Sequence, residues 1–485
     1  MVHQAGEEVL RRPKKIVICC DGTWQNKDNG WEKDGIFDFT GHPQIPSNVT
    51  RIARALLPEN SAGHPQIVYY QAGVGTGYGL TNTLLGGATG AGLSENIREA
   101  YAFLADNYMD GDDLFFIGFS RGAYTARSIA GMVSSVGLLT KEAMAGFYDI
   151  FKDYENAGEK AYKPRYPKTH SEFKLERSSD EAHEYLQAYK AELLRNKLIR
   201  DVDIKAIGVW DTVGSLGIPV HPLFQKTIGA ASLSEYRFYN TGLDNNVHNA
   251  FHALALDETR ASFTPTLWSL PPGCTTNLKQ IWFPGAHSSV GGSYKDTSIA
   301  DLSLAWMMSQ LRPWLDFSPS YLPDQHALNL KYIAKMQAAG TKPQYPSWRF
   351  GVGKIYNPND GFFRIGGAID RTPGRYHRTS YDGEVLPETL ERTGERVHVS
   401  VRAMFDFDGV DAFGKAYVEG NKSLVGWKRV REIDSKDGGE GEERVRYEYE
   451  GTDEGSEGRV MEEDELGFYE VQLLALDKEM AAQLM

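Results

Sequence analysis

Five short apolar runs interrupt an otherwise mixed sequence: Lys15–Cys20, Gln66–Gln71, Asp113–Gly118, Asp203–Trp210 and Gln280–Phe283. They are rich in Val, Ile, Phe and Tyr and nearly continuous instead of alternating. That is the pattern of strands covered on both faces. Between them the period changes. Ser94–Tyr108 places Ile97, Tyr101 and Leu104 at i, i+4 and i+7, and Ala123–Val136 puts Ile129, Met132, Val133 and Val136 on one stripe. Ser298–Leu311 opens on Ser298-Ile299-Ala300-Asp301, a capping-box pattern, and continues with Leu302, Ala305 and Trp306. Strands alternating with helices predict an α/β fold around a doubly wound, mostly parallel sheet.

This pattern spans residues 14–310. Inside it, Leu138–Arg200 is aromatic and charged, with helical spacing around Ser179–Asn196. It reads as a helical insertion, and two placements fit: a lid over the sheet's active edge, or a decoration on its flank. Beyond Leu311 the pattern loosens into an irregular extension, 311–485, packed on the core. There His398–Arg402 reads as a strand and Glu470–Met485 as a helical end.

Composition narrows the class. The segment 434–465 holds 14 acidic and 4 basic residues, most of the chain's net charge of −13. It reads as a flexible, solvated acidic loop. The rest is close to neutral and shows no basic stripe, which argues against a nucleic-acid surface. Three cysteines, Cys19, Cys20 and Cys274, make no disulfide framework. The N-terminus has no basic-then-apolar leader pattern, and no apolar run approaches the roughly 20 residues of a spanning helix. The expectation is a cytoplasmic protein without a transmembrane segment, able to touch a membrane surface transiently.

The segments just past the strands carry the chemistry. Leu114-Phe115-Phe116-Ile117 leads into Gly118-Phe119-Ser120-Arg121-Gly122 and then a helical pattern. Strand, glycine-flanked serine, helix is the context of a nucleophile elbow, whose turn is too tight for side chains beside the serine. A serine hydroxyl needs a histidine to take its proton and a carboxylate to orient that histidine. Asp211 ends the fourth run, and His287 comes after the fifth through Pro284-Gly285-Ala286. Ser120, Asp211 and His287 thus stand in the order Ser, Asp, His, each after a strand.

Rivals exist for each partner. His252 lies in the apolar stretch Asn249–Leu256, read as helical, and suits a core histidine. His398 sits between Val397 and Val399 and reads as structural. Asp257 has Glu258 and Arg260 beside it, which suggests a salt-bridged cluster. An oxyanion needs backbone donors. Arg121, after the serine, supplies one, and the loop of Gly22 and Thr23 the other. Asp21 either braces that loop or is a plain turn aspartate.

Two further motifs are weaker. Gly73-Val74-Gly75-Thr76-Gly77 and Gly86–Gly92 invite a nucleotide, but no Gly-Lys-Ser/Thr accompanies them and the first cluster opens no helix. His248 and His252, four apart, would share a helical face. Asn249 stands where a zinc protease needs glutamate, however, so no metal or cofactor is expected.

The segments Cys20–Trp24, Gly73–Gly77, Gly118–Arg127, Val209–Val213, Ala255–Glu258 and Phe283–Ser288 together resemble an uncharacterised α/β-hydrolase family. That family shares its catalytic domain with type VI secretion lipase effectors. The resemblance implies an α/β-hydrolase-like fold over 14–310 and a Ser-Asp-His hydrolase, with the triad on Ser120, Asp211 and His287. The characterised effectors act as phospholipases. Ser289 stands where the family often has aspartate. The expected function is a serine hydrolase of carboxylic esters, those of lipids or phospholipids included. A non-catalytic α/β scaffold that binds a lipid or protein is the alternative.

Overall fold

The computed structural model describes residues 11–22, 31–32, 42–43, 45–73, 91–159, 162–166, 182–214, 242–338, 348–358, 367–379, 385–407, 415–417, 421–434, 442–453, 455–456 and 458–484. Strands β1 (Lys15–Cys20), β2 (Gln66–Gln71), β3 (Asp113–Phe119), β4 (Ile204–Trp210), β5 (Asn249–Ala255), β6 (Asn277–Phe283) and β7 (Glu395–Val397) form one sheet. All neighbours run parallel, in the order β7-β6-β5-β4-β3-β1-β2. The fold is therefore a doubly wound α/β fold.

The α-helices among the described residues are α1 (Asn48–Ala55), α2 (Ala91–Asn107), α3 (Arg121–Val136), α4 (Phe147–Glu155), α5 (Ala182–Arg195), α6 (His287–Gly291), α7 (Ser298–Leu311), α8 (Tyr321–Ala338), α9 (Val399–Asp406), α10 (Phe468–Leu474) and α11 (Lys478–Leu484). They cover both faces, and β1 shows how. Ile16, Ile18 and Cys20 pack with Ile97, Tyr101 and Leu104 of α2 and Ile129 and Met132 of α3. Val17 and Cys19 pack with Val49 and Ile52 of α1 and Leu302, Ala305 and Trp306 of α7. Successive side chains point to opposite faces, and each face needs apolar cover.

Chain order locates the ligand edge. From β1 the chain runs through α1 to β2 on one side. It then returns through α2, on the opposite face, to β3 on the other side of β1. The carboxyl ends of β1 and β3 thus flank a topological switch point, where open α/β sheets bind ligands. Asp21 and Gly22 end β1, and Ser120 follows β3.

The insertion joins the core. Leu138 and Leu139 pair antiparallel with Ile199 and Arg200. Phe151 and Tyr154 of α4 and Tyr185 and Tyr189 of α5 are buried in the α2–α3 cluster. Its described helices pack against α2 and α3.

Four expectations need correction. Asn249–Leu256 holds strand β5, not a helix. Its alanines favour helix, yet every residue of Asn249–Ala255 is buried between two parallel neighbours, so tertiary pairing overrides local preference. His398–Arg402 is the start of α9, not a strand. His398 caps that helix by accepting the Ser400 amide. The described residues of the acidic stretch are largely structured. Trp427–Asp434, Glu442–Tyr449 and Val460–Glu462 form a three-stranded antiparallel sheet. Val445, Tyr447, Tyr449 and Met461 are buried. Glu463 forms a bidentate pair with Arg402, and Asp464 accepts the Trp306 indole N–H at 3.0 Å. Counting charges hid a period of two whose apolar positions face inward. The cap of α7 is Thr297, one residue earlier than the sequence pattern places it, and buried Asp301 pairs with Arg51.

Candidate active site

Ser120 sits between β3 and α3 at φ 59°, ψ −125°. This region is sparsely populated by residues with a side chain. The flanking glycines show why the turn holds. A Cβ at Gly118 would lie 2.5 Å from Ala123 Cα, and one at Gly122 2.2 Å from the Cys20 carbonyl oxygen. Helix α3 therefore packs its first turn directly against the end of β1. Gly122→Ala is expected to destabilise the chain by about 3 kcal/mol, since backbone blocks the methyl group. A denaturant midpoint equal to wild type would refute this.

Asp211 follows β4 at φ 37° and is fully buried. Its amide donates to Ala253 O at 2.7 Å. Its Oδ1 accepts the Ala255 amide at 3.1 Å and Arg371 Nη1 at 3.1 Å. Its Oδ2 accepts Arg371 Nη2 at 3.0 Å and lies 2.5 Å from His287 Nδ1. Burial pushes the carboxyl up. The charge of Arg371 and the hydrogen bond from His287 outweigh that and hold Asp211 well below the usual carboxylate range.

His287 opens the short helix α6, one turn beyond β6. Asp257 and Glu258 hold this loop. Asp257 Oδ2 accepts the Gly285 amide at 2.6 Å, and Glu258 Oε2 accepts the His287 amide at 3.2 Å. Asp257 also takes the Tyr417 hydroxyl, and Glu258 a forked pair from Arg260. The rival acid thus belongs to a structural cluster. Ser289 Oγ accepts the Ala286 amide at 3.2 Å, so this side chain closes the histidine turn. Phe119 lies tilted over the imidazole at 4.6 Å and Phe263 meets it edge-on at 4.9 Å. Burial pushes His287 below its ordinary value of 6.5, while the Asp211 hydrogen bond pulls the other way.

The structure thus joins Asp211 to His287 directly. It places Ser120 next to Phe119, whose ring covers the imidazole. His287 Nε2 is buried and has no hydrogen-bond partner among the described residues. It is the nitrogen left over once Nδ1 is bound to Asp211. Catalytic hydrogen bonds often tighten only with substrate in place.

The rival histidines have other work. His252 Nε2 accepts the Thr212 amide at 3.0 Å and its Nδ1 pairs with Gln280 Oε1 at 3.0 Å. Burial pushes it down to about 3, so it stays a neutral brace for the loop after Asp211. His398 lies between Ser400 and Glu470, all three fully buried. His248 precedes β5, 3.5 Å from Asp203. Both ring nitrogens of His252 are engaged by protein, which removes it as a metal ligand.

Asp21 braces its loop. It is buried and accepts the Ser47, Thr50 and Tyr70 hydroxyls. Gly22 lies against the nucleophile turn, where an added Cβ would be 3.4 Å from Ser120 Cβ. Its amide, however, donates to Asp21 Oδ1 at 2.7 Å. Thr23 and Val74–Gly90 lie outside the described residues. Arg121 is the first residue of α3, directly after Ser120. No helix among the described residues is long and apolar enough to cross a membrane.

Sequence reasoning missed Arg371, which lies 160 positions beyond Asp211. Asp370-Arg371-Thr372-Pro373-Gly374 carries no spacing that points to a distant carboxylate.

Comparison with known proteins agrees with this architecture. Residues 14–310 match the family model for the catalytic domain of Tle1-like phospholipase effectors of type VI secretion. The match covers more than half of the chain, and the chain belongs to this family. It is also similar to an uncharacterized protein of Saccharomyces cerevisiae, 28% identical over 266 residues. These make up 52% of this chain and 32% of the yeast protein, so the chain spans about a third of that relative's length.

Proposed function

We propose that this member of the phospholipase-effector family is a serine hydrolase that cleaves acyl esters of lipids through an acyl-enzyme. The observation that supports the reading is the buried Asp211–His287 pair, with the Phe119 ring against the imidazole and the next residue, Ser120, held at positive φ. Ser120 Oγ attacks the ester carbonyl carbon and gives its proton to His287 Nε2. Asp211 fixes the tautomer with the proton on Nδ1 and stabilises the imidazolium. The main-chain amide of Arg121, with that of Gly22 or Thr23, holds the oxyanion. His287 then protonates the leaving alcohol. Water, activated by the same nitrogen, releases the fatty acid and restores Ser120. The substrate lies at a membrane surface, which the enzyme touches without spanning it.

The test pairs a fluorophosphonate probe with a substrate panel of p-nitrophenyl esters and phospholipid vesicles. Labelling at Ser120 and release of fatty acid are expected. A folded protein that binds vesicles yet neither labels nor turns over would be the non-catalytic scaffold. Activity confined to short soluble esters would overturn the lipid reading. The pH profile is a second check. The base must be neutral, and burial holds His287 below 6.5. The acid limb of kcat/KM is therefore expected below pH 6.5, with activity lost as the pH falls through it. A limb above 7 would contradict the assignment.

A further inference from the structure

We propose that Arg371, contributed from beyond the family-matched segment, is a positioning residue that sets the geometry and the charge of the Asp211–His287 pair. The inference rests on the serine-hydrolase reading. Arg371 is 3% exposed and presents two guanidinium nitrogens to the two oxygens of Asp211, at 3.1 and 3.0 Å. Its Nη2 also donates to the carbonyl of Phe263 at 2.8 Å, and the Phe263 ring abuts His287. One side chain therefore fixes the plane of the carboxylate and the wall behind the imidazole.

A forked guanidinium constrains a carboxylate's rotation in a way that a single donor does not. With both oxygens clamped, Oδ2 stays aligned with His287 Nδ1. Charge adds a second effect. Ionised Asp211 beside neutral His287 would leave one unbalanced negative charge in a fully buried site. Arg371 brings that cluster to neutrality at rest. When His287 takes the serine proton, the oxyanion that forms at the same moment balances the new positive charge. Without Arg371 the buried pair would hold a proton more tightly, and His287 would rest as imidazolium to higher pH. Among the described residues, the other ionisable groups around the pair are His252 on β5, Glu258 and Arg260 after β5, Tyr376 on the Arg371 segment and Arg127 on α3, which acts through His252. Glu258 and Arg260 pair with one another, so neither replaces Arg371.

The experiment compares the full chain with Arg371→Gln and Arg371→Lys, measuring kcat and KM on phospholipid vesicles across pH. For Arg371→Gln, kcat is expected to fall roughly 100-fold with KM nearly unchanged, and the acid limb to move up by about one pH unit. For Arg371→Lys, which keeps the charge and loses the fork, kcat is expected to fall roughly tenfold with the limb at its wild-type position. An unmoved limb in Arg371→Gln would overturn the charge role, and wild-type kcat in Arg371→Lys would overturn the clamp. Should Arg371→Gln not fold, the lysine variant still decides the clamp, and its limb, shifted upward, would overturn the charge role. Absence of turnover and labelling in the wild-type chain would instead defeat the hydrolase reading itself.

Discussion

Ser120→Ala is expected to reduce kcat on phospholipid vesicles by roughly 10⁴- to 10⁶-fold and to abolish fluorophosphonate labelling. The size of the loss comes from the chemistry. Without Oγ no acyl-enzyme forms, and only oxyanion donors and substrate orientation remain to assist attack by water. The fold should survive, because the elbow is held by close packing of Gly118 and Gly122 and not by the hydroxyl. Vesicle binding should therefore persist. The turn makes a further test available. Alanine keeps a Cβ at φ 59°, whereas glycine adopts this conformation without strain. Ser120→Gly should be as inactive as Ser120→Ala and more stable by about 1 kcal/mol or more. Turnover within tenfold of wild type for either variant would remove Ser120 from the mechanism.

The second large effect concerns Asp211→Asn, which should cost roughly 10⁴-fold in kcat. A carboxamide no longer holds the proton on Nδ1. If His287 carries it on Nε2 instead, the nitrogen that must accept from Ser120 is blocked. This variant should also lose stability, because Arg371 is left in a buried site without its counter-charge. Breaking such a pair from one side costs about 3–5 kcal/mol. The double variant Asp211→Asn with Arg371→Met should regain much of that stability and none of the turnover. The sign of the pH effect agrees. Asp211 is held below its ordinary value of 3.8, so its contribution is full above that value and is lost as the pH falls below it. Acid unfolding of Asp211→Asn should therefore show a shallower loss in that range. Equal stability of wild type and Asp211→Asn would contradict the buried pairing.

Much of this arrangement was legible in the sequence because it is written in local order. Strands β1 and β2 need no more than an apolar run bounded by polar residues. Ser120, Asp211 and His287 each come after such a run, and a parallel sheet brings the ends of its strands to one edge. The features that stayed hidden depend on contacts distant in sequence. Alanine-rich β5 is a strand because β4 and β6 pair with it. The acidic β-sheet conceals its apolar face beneath one of paired charges, among them Arg446 with Glu432 and Glu448. Arg371 meets Asp211 across 160 positions, and arginines are common enough that none announces itself. Sequence also shows which glycine lies near the serine, but not where its N–H points.

Strand β7 gives the placement of Arg371 a wider meaning. The family-matched segment stops at residue 310, yet β7 covers the edge of β6 and Arg371 answers the charge of Asp211. A fragment ending there would expose a row of unpaired amides and carbonyls, a template for association with other chains. Modularity, in the sense of parts that can be exchanged between proteins, therefore stops short of this boundary. Grafting a foreign C-terminal half onto the α/β core would have to bring along an edge strand and a buried guanidinium, each in register with chemistry it did not evolve beside.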